Sequence, residues 1–354
     1  MPTDLIEMSR KIHFTDVIIL LNNISKLNFS TFFNFDEFVM KIVVADGYAL
    51  NSGDLSWKSI EQLGELTVYD RTSPSQLIER CKEADIIVSN KTPVGKEAIE
   101  NLPNLKMITM LATGYNVIDV SAAKAKGITV CNVPAYGTDS VAQHAFALIL
   151  ALANQVHVHA ASVAKGEWQR SPDFGYALTP LTELAGKTLG IVGMGNIGRQ
   201  TAKIGEAFGM NILYNSRSEK KGVSGKYVNL QELFAQSDFI SLHCPLTDEN
   251  FEFVNASLIR LMKRTACIIN TARGQLVNEQ DLADALNNGT IAGAGLDVLS
   301  KEPPGDNPLI TAKNCVITPH NAWMTKEARE RIMEETKRNI RSFIERVPRN
   351  VVNG

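Results

Sequence analysis

Residues 188–204 read TLGIVGMGNIGRQTAKI, and this stretch decides the fold. Thr188 to Val192 form an apolar run of strand length. Gly193, Gly195 and Gly198 follow in GxGxxG spacing, and "IGRQTAKIGEAFG" continues with helical periodicity. A bare GxGxxG is weak evidence, but a strand before it and a helix after it give each glycine a task. The first permits a tight turn, the second lets backbone approach a pyrophosphate, and the third lets helix and strand pack closely. The helix N-terminus, at Asn196 and Ile197, offers free N–H groups and partial positive charge to phosphates. These five residues form a candidate dinucleotide-binding turn.

Outward from this unit, short apolar runs alternate with helical patterns in both directions. Upstream the runs are Ile42–Val44, Leu66–Tyr69, Asp85–Val88, Lys106–Met110 and Ile128–Val130. Downstream they are Asn211–Tyr214, Phe239–Leu242, Ala266–Asn270, Ile291–Leu296 and Cys315–Thr318. Alternating βα order implies parallel sheets. The expected fold is α/β: two Rossmann-like, doubly wound parallel-sheet domains with the active-site cleft between them. A helix from about Ser140 to Val156 separates the two series, and its run "AFALILALA" reads as buried on all sides. The loop region "KGEWQRSPDFGYALTPLTELAGK" follows it.

The chain ends in a helix from about Lys326 to Arg346, whose apolar stripe needs a partner. The first sheet is the natural one. The expected domains are therefore 40–138 plus 325–354 for one unit and 139–324 for the dinucleotide unit. Residues 1–39, with the aperiodic "LNFSTFFNFDEFV", read as an N-terminal extension outside the core fold, an appendage or the product of an upstream start codon.

Composition narrows the function classes. The chain has 354 residues, 44% hydrophobic and 21% charged, with a formal net charge of −2. This argues against a general binder of nucleic acid or acidic membrane. The longest apolar run, Ala145–Ala153, is too short to span a bilayer, and no signal peptide is apparent. Five scattered cysteines show no ligand spacing, so no metal site is expected and a reducing, cytoplasmic compartment is the simple reading. His157 and His159 are two residues apart and point in different directions on a helix, which argues against a metal pair.

The second strand of a unit that binds NAD should end in a carboxylate, which accepts from the ribose hydroxyls and repels a 2′-phosphate. Here "ILYNSRSEK" (212–220) places Ser216 and Arg217 there, with Lys220 and Lys221 nearby. A hydroxyl and a guanidinium suit a 2′-phosphate. NADP is the expected cofactor, with NAD the alternative if the turn is only a solvated basic one.

Three further residues sit at strand ends: Arg273 after "ACIINTA", Glu302 after "AGLDVLSK" and His320 after "VITP". Ligands of open α/β sheets bind beyond the carboxyl ends of strands. Any one of the three could be a surface charge or a turn residue; together they suit reduction of a 2-oxo acid. Arg273 can bind the carboxylate and polarise the carbonyl. His320 can supply the proton as hydride arrives, and Glu302 beside it favours the imidazolium and holds the ring.

At this point "GMGNIG", "NTARGQLVNEQDL", "GAGLDVLSKEPP" and "ITPHNAW", in this order and spacing, resemble the D-2-hydroxyacid dehydrogenase family. The likeness covers nearly everything from Met40 to the last helix. "NKTP", "LATGYN" and "PHNAW" look most like its glycerate dehydrogenase, or hydroxypyruvate reductase, branch. The resemblance implies catalytic roles for Arg273, Glu302 and His320. It implies a substrate-carboxylate loop at Ala112, Thr113 and Gly114, with Lys91 beside it. It places Val141, His243, Pro245, Thr247, Thr271, Ala272 and Asp297 along the cofactor cleft, Asp297 near the nicotinamide carboxamide. It also implies a homodimer built partly on the helix from Ser140. The missing acidic residue at Ser216 departs from the family pattern. The expected reaction is NAD(P)H-dependent reduction of a small 2-oxo acid, hydroxypyruvate and glyoxylate foremost, to the D-2-hydroxy acid. The alternatives are another 2-oxo acid, or a dinucleotide-sensing, corepressor-like binding protein on the same fold.

Overall fold

A computed structural model describes residues 39–354. Apart from Val39, the extension expected at 1–39 lies outside them. Twelve strands are described: β1 (Lys41–Val44), β2 (Glu65–Val68), β3 (Ile86–Ser89), β4 (Met107–Met110), β5 (Thr129–Cys131), β6 (Thr188–Val192), β7 (Asn211–Asn215), β8 (Lys226–Tyr227), β9 (Phe239–Leu242), β10 (Cys267–Asn270), β11 (Gly293–Leu296) and β12 (Cys315–Ile317). The helices between them are α1 (Lys58–Glu61), α2 (Pro74–Cys81), α3 (Lys96–Asn101), α4 (Val120–Ala125), α5 (Thr138–Asn154), α6 (Val156–Ala164), α7 (Asn196–Ala207), α8 (Leu230–Gln236), α9 (Ala256–Ile259), α10 (Glu279–Asn287) and α11 (Lys326–Ile344).

The strands form two sheets, all of whose ladders are parallel. One has the order β2-β1-β3-β4-β5; the other runs β12-β11-β10-β9-β6-β7-β8. Both are doubly wound, as the alternating pattern implied. Strands β3, β4, β9 and β10 are buried throughout, which is why they read as continuous apolar runs rather than as alternation. β8 escaped the sequence reading because it has two exposed residues and no apolar pattern.

The helix α5 corrects two expectations. It stops at Asn154 because Gln155 adopts a left-handed backbone, φ +46°. The chain then re-enters a helix, α6, bent 60° from α5, where the sequence suggested only the end of one helix and a loop. Nor is α5 buried on all sides: Ala147 is exposed and Leu150 and Leu152 are half-buried. Its inner face lies against β11, where a side chain at Gly295 would press on Leu148 and one at Gly293 on Leu152. No single described helix is long and apolar enough to cross a membrane; α5 and α6 pass that test only as a bent pair.

The last helix closes the first sheet. Ile332, Met333 and Ile340 of α11 share a buried cluster with Ile42, Val44, Ile86, Val88 and Met107. Burying each such aliphatic side chain contributes about 1.5–3 kcal/mol. Arg329 adds a two-pronged bond to Asp54, 2.7 Å on each prong. After α11, Val351 pairs with Cys131 of β5.

Candidate active site

The glycine turn lies where the order of the second sheet reverses, between β6 and β9. Gly193 has φ +101°, and a Cβ there would stand 2.6 Å from the His243 carbonyl carbon and the Cys244 nitrogen. Only glycine lets the turn pass so close to the end of β9. A Cβ on Gly198 would be driven into the carbonyl oxygen of Gly193. Gly195 is different, because nothing in the protein lies within 4 Å of where its Cβ would be. The fold does not require that glycine, whereas close approach of a pyrophosphate would. The N-terminus of α7, at Asn196, Ile197 and Gly198, faces the same place. These residues fit a dinucleotide.

Around the turn, the cleft is held by local bonds. Asn270 accepts from the Ala272 N–H at 3.0 Å and donates to the Arg273 carbonyl at 2.8 Å, fixing the turn of Thr271, Ala272 and Arg273. The Thr271 hydroxyl is buried without a partner among the described residues. Asn250 similarly ties Thr247 N at 2.7 Å to Pro245 O at 2.8 Å. The His243 ring sits 2.9 Å from the Ser241 hydroxyl. It keeps a little surface, but the protein packed around it pushes its pKa down to about 4, so it is neutral. Val141, on the first turns of α5, is buried.

At the end of β7, Asn215 donates to Val228 O at 2.9 Å. The Ser216 hydroxyl donates to Ser218 O at 2.7 Å, and Lys220 reaches the Ser218 hydroxyl at 3.3 Å. Arg217 is exposed and makes no hydrogen bond or ion pair among the described residues. Of the expected pair, the guanidinium is therefore the freer group.

Glu302 and His320 are in direct contact, and Arg273 acts together with Glu302 on the charge of Lys91. The Nδ1 atom of His320 is 2.6 Å from Glu302 Oε2, and Glu302 Oε1 accepts from Leu299 N at 3.1 Å. Burial pushes Glu302 up, but the His320 bond and charge, the Leu299 N–H and Lys91 outweigh it and hold its carboxyl below the usual range. His320 stands in a left-handed backbone, φ +50°, its N–H shared between Asp297 O (2.8 Å) and Thr318 O (2.9 Å). Arg273 Nη1 donates to Ala272 O at 2.6 Å, and Nη2 lies 3.1 Å from where a Cβ on Gly114 would be. The substrate-loop candidates thus face the arginine.

In that loop the N–H groups of Ala112, Thr113 and Gly114 donate to no protein acceptor among the described residues. The Thr113 hydroxyl donates to Val133 O, and Asn132 holds Thr113 O, both at 2.8 Å. Lys91 belongs to the same constellation. Lys91 keeps exposed surface, but the protein packed around its ammonium and the Arg273 charge push it below the ordinary lysine range, against the pull of Glu302 and Asp46. Tyr136, packed edge-on to Trp323 at 6.3 Å, is pushed up to about 12 by burial, with Arg273 opposing.

Asp297 is only 1% exposed and does not stand open in the cleft. Its oxygens accept from Thr318 Oγ1 at 2.6 Å, Asn321 N at 3.0 Å and Ala322 N at 3.0 Å. His144 of α5 completes the set, 2.9 Å from the Thr318 hydroxyl. The sequence reading missed His144, Thr318, Asn132 and Asn270. Each acts on backbone or on a residue distant in sequence, so no local pattern announces it. The expected non-pair His157 and His159 lie on α6, where the His159 ring meets Gln155 O and Leu178 N at 3.0 Å each.

Residues 146–322 match the family described as D-isomer specific 2-hydroxyacid dehydrogenase, NAD binding domain. A hydroxypyruvate reductase of Blautia hydrogenotrophica is 50% identical over 321 residues, covering 89% of this chain and 100% of that one. A glycerate dehydrogenase of Methylorubrum extorquens is 40% identical over 292 residues, covering 81% and 92%. Among solved structures, an acyclic imino acid reductase (Bsp5) in complex with NADPH and D-Arg superposes with a TM-score of 0.78. It is 34% identical, with 88% of this chain and 100% of that one covered.

Proposed function

This chain belongs to the D-isomer-specific 2-hydroxyacid dehydrogenases, and on that footing we propose that it reduces hydroxypyruvate, and glyoxylate beside it, to the D-2-hydroxy acid, preferring NADPH. The observation that carries the reaction is the His320–Glu302 pair at 2.6 Å, alongside Arg273 facing Gly114 and the open N–H groups of Thr113 and Gly114. NAD(P)H supplies the hydride. Ala112, Thr113 and Gly114 receive the substrate carboxylate through backbone N–H groups, with Lys91 adding charge. Arg273 bridges carboxylate and carbonyl oxygen and steadies the charge that develops there. His320 gives the proton from Nε2, since Nδ1 is engaged by Glu302. In the reverse direction the same atom accepts it.

The phosphates rest on the Gly193–Gly198 turn, and Thr271, Ala272, Val141, His243, Pro245 and Thr247 line the cleft. Asp297 supports the loop that carries His320. Arg217, with Ser216, is the proposed 2′-phosphate site; its exposed guanidinium supports that choice. The substrate unit is 40–138 plus 325–354 and the cofactor unit 139–324, a division supported by the packing of α11 on the first sheet. Five free thiols favour a reducing, cytoplasmic setting. We further infer a homodimer.

A matrix of small 2-oxo acids against both reduced cofactors tests the reading. Hydroxypyruvate with NADPH should give the highest kcat/KM, and Ser216→Asp with Arg217→Leu should shift the ratio toward NADH by about tenfold or more. NADPH binding with no turnover of any small 2-oxo acid would overturn it in favour of a dinucleotide sensor. An unchanged cofactor ratio would overturn the phosphate assignment alone.

A further inference from the structure

Asp46 follows β1 at the carboxyl edge of the first sheet, and no motif or resemblance gives it a task. Its side chain reaches across to the end of β3. Oδ1 accepts from Asn90 N at 2.7 Å, and Oδ2 accepts from Lys91 N at 2.6 Å and Thr92 N at 2.7 Å. Three consecutive N–H groups of one turn therefore converge on a single carboxylate that lies more than forty residues earlier in the chain. The turn is closed on its other side as well, where Ser89 Oγ donates to Thr92 O at 2.9 Å. What the turn presents is Lys91, whose ammonium shares its surroundings with Arg273 and Glu302.

We propose that Asp46 is a positioning residue: by gripping the backbone of Asn90, Lys91 and Thr92 it sets Lys91 beside Arg273 to receive the anionic 2-oxo acid. The proposal rests on the reading of Lys91 as a substrate-binding residue. A carboxylate is the group the geometry requires. Bonds to an ionised acceptor are roughly twice as strong as neutral ones. Oδ2 also takes two donors at once, which an amide nitrogen cannot do. Asparagine would set its NH2 against one or two of these N–H groups and leave them unpaired. The negative charge of Asp46 also offsets the crowding of two cations, Lys91 and Arg273.

The test is a double-mutant cycle on the full chain with hydroxypyruvate and saturating NADPH, together with NADPH affinity and Tm. Asp46→Asn should raise KM about tenfold, leave kcat within about twofold and leave NADPH affinity unchanged. Lys91→Met should raise KM at least as much, and the double variant should match Lys91→Met alone. Asp46→Glu keeps the carboxylate on a longer arm and should raise KM by only about threefold. It carries the same cycle if Asp46→Asn does not fold. A lowered Tm with unchanged KM, or effects that multiply in the double variant, would overturn the positioning role. If Lys91→Met leaves KM unchanged, the reading of Lys91 itself fails and the role of Asp46 falls with it.

Discussion

At the scale of residues, the site is a set of charges each held by backbone. His320 accepts a left-handed conformation, which costs a non-glycine residue about 1–3 kcal/mol. Two carbonyls on its N–H and the Asp297 carboxylate on the next two N–H groups stabilise the turn. Glu302 then needs only to be ionised to hold the ring. Its carboxyl lies below the usual range, so it stays charged through neutral pH and well into the acid range. The sign of the linkage follows: the pair's contribution to stability is present above the ordinary carboxylate pKa and is lost as pH falls through the lowered folded value. Glu302→Gln removes the charge but keeps the shape. It should lower kcat/KM for reduction by on the order of a hundredfold and move the alkaline limb of the pH profile to lower pH, with NADPH affinity unchanged. Profiles of kcat/KM against pH for both proteins check this, and superimposable limbs would remove Glu302 from the acid–base pair. Arg273, Glu302 and His320 were legible in the sequence because each follows a recognisable strand. Asp46, Asn132 and His144 were not, because their partners are backbone groups or hydroxyls brought near only by folding.

At the scale of elements, the glycine turn separates what the fold needs from what a ligand needs. Gly193 and Gly198 are required by the protein itself, one by its φ and the closeness of β9, the other by its own turn's carbonyl. Gly195 is not. Gly198→Ala should therefore lower Tm by several degrees, as overpacking of about 1–3 kcal/mol would. Gly195→Ala should leave Tm within about 1 °C while weakening NADPH binding about tenfold or more. Thermal melts and fluorescence titration of both variants decide the matter; equal losses of Tm would mean that Gly195 too is structural. The sequence exposed this element fully, since strand, glycines and helix are contiguous. It did not expose the break at Gln155. A left-handed glutamine has no composition signal, and "VHVHAASVA" is apolar enough to read as a continuation or as a loop.

At the scale of the molecule, the bent helix pair shapes one surface. Beyond Gln155 the chain runs out along α6, and the loop after it folds back, with Trp168 Nε1 donating to Phe174 O at 3.0 Å and Leu178 N bonded to the His159 ring. This arm shows Val156, Val163, Trp168, Leu178 and Leu181 to solvent, and Phe174 is 98% exposed. Large apolar side chains exposed together on one arm suit the inferred homodimer. On α5, Ala147 is also exposed and Leu150 half-buried. A second copy of this chain, meeting the surface by a twofold axis, would cover both at once. Light scattering behind a sizing column should give twice the chain mass at micromolar concentration. Phe174→Asp with Leu178→Asp should give the single-chain mass, with Tm lowered and no longer dependent on protein concentration, as that of the associating wild type should be. Because the arm follows directly from α5, the helix that carries Val141 and His144, loss of association should also weaken catalysis without altering the identity of the preferred 2-oxo acid. A wild-type chain that runs as a monomer would refute the dimer while leaving the chemistry of each cleft as argued.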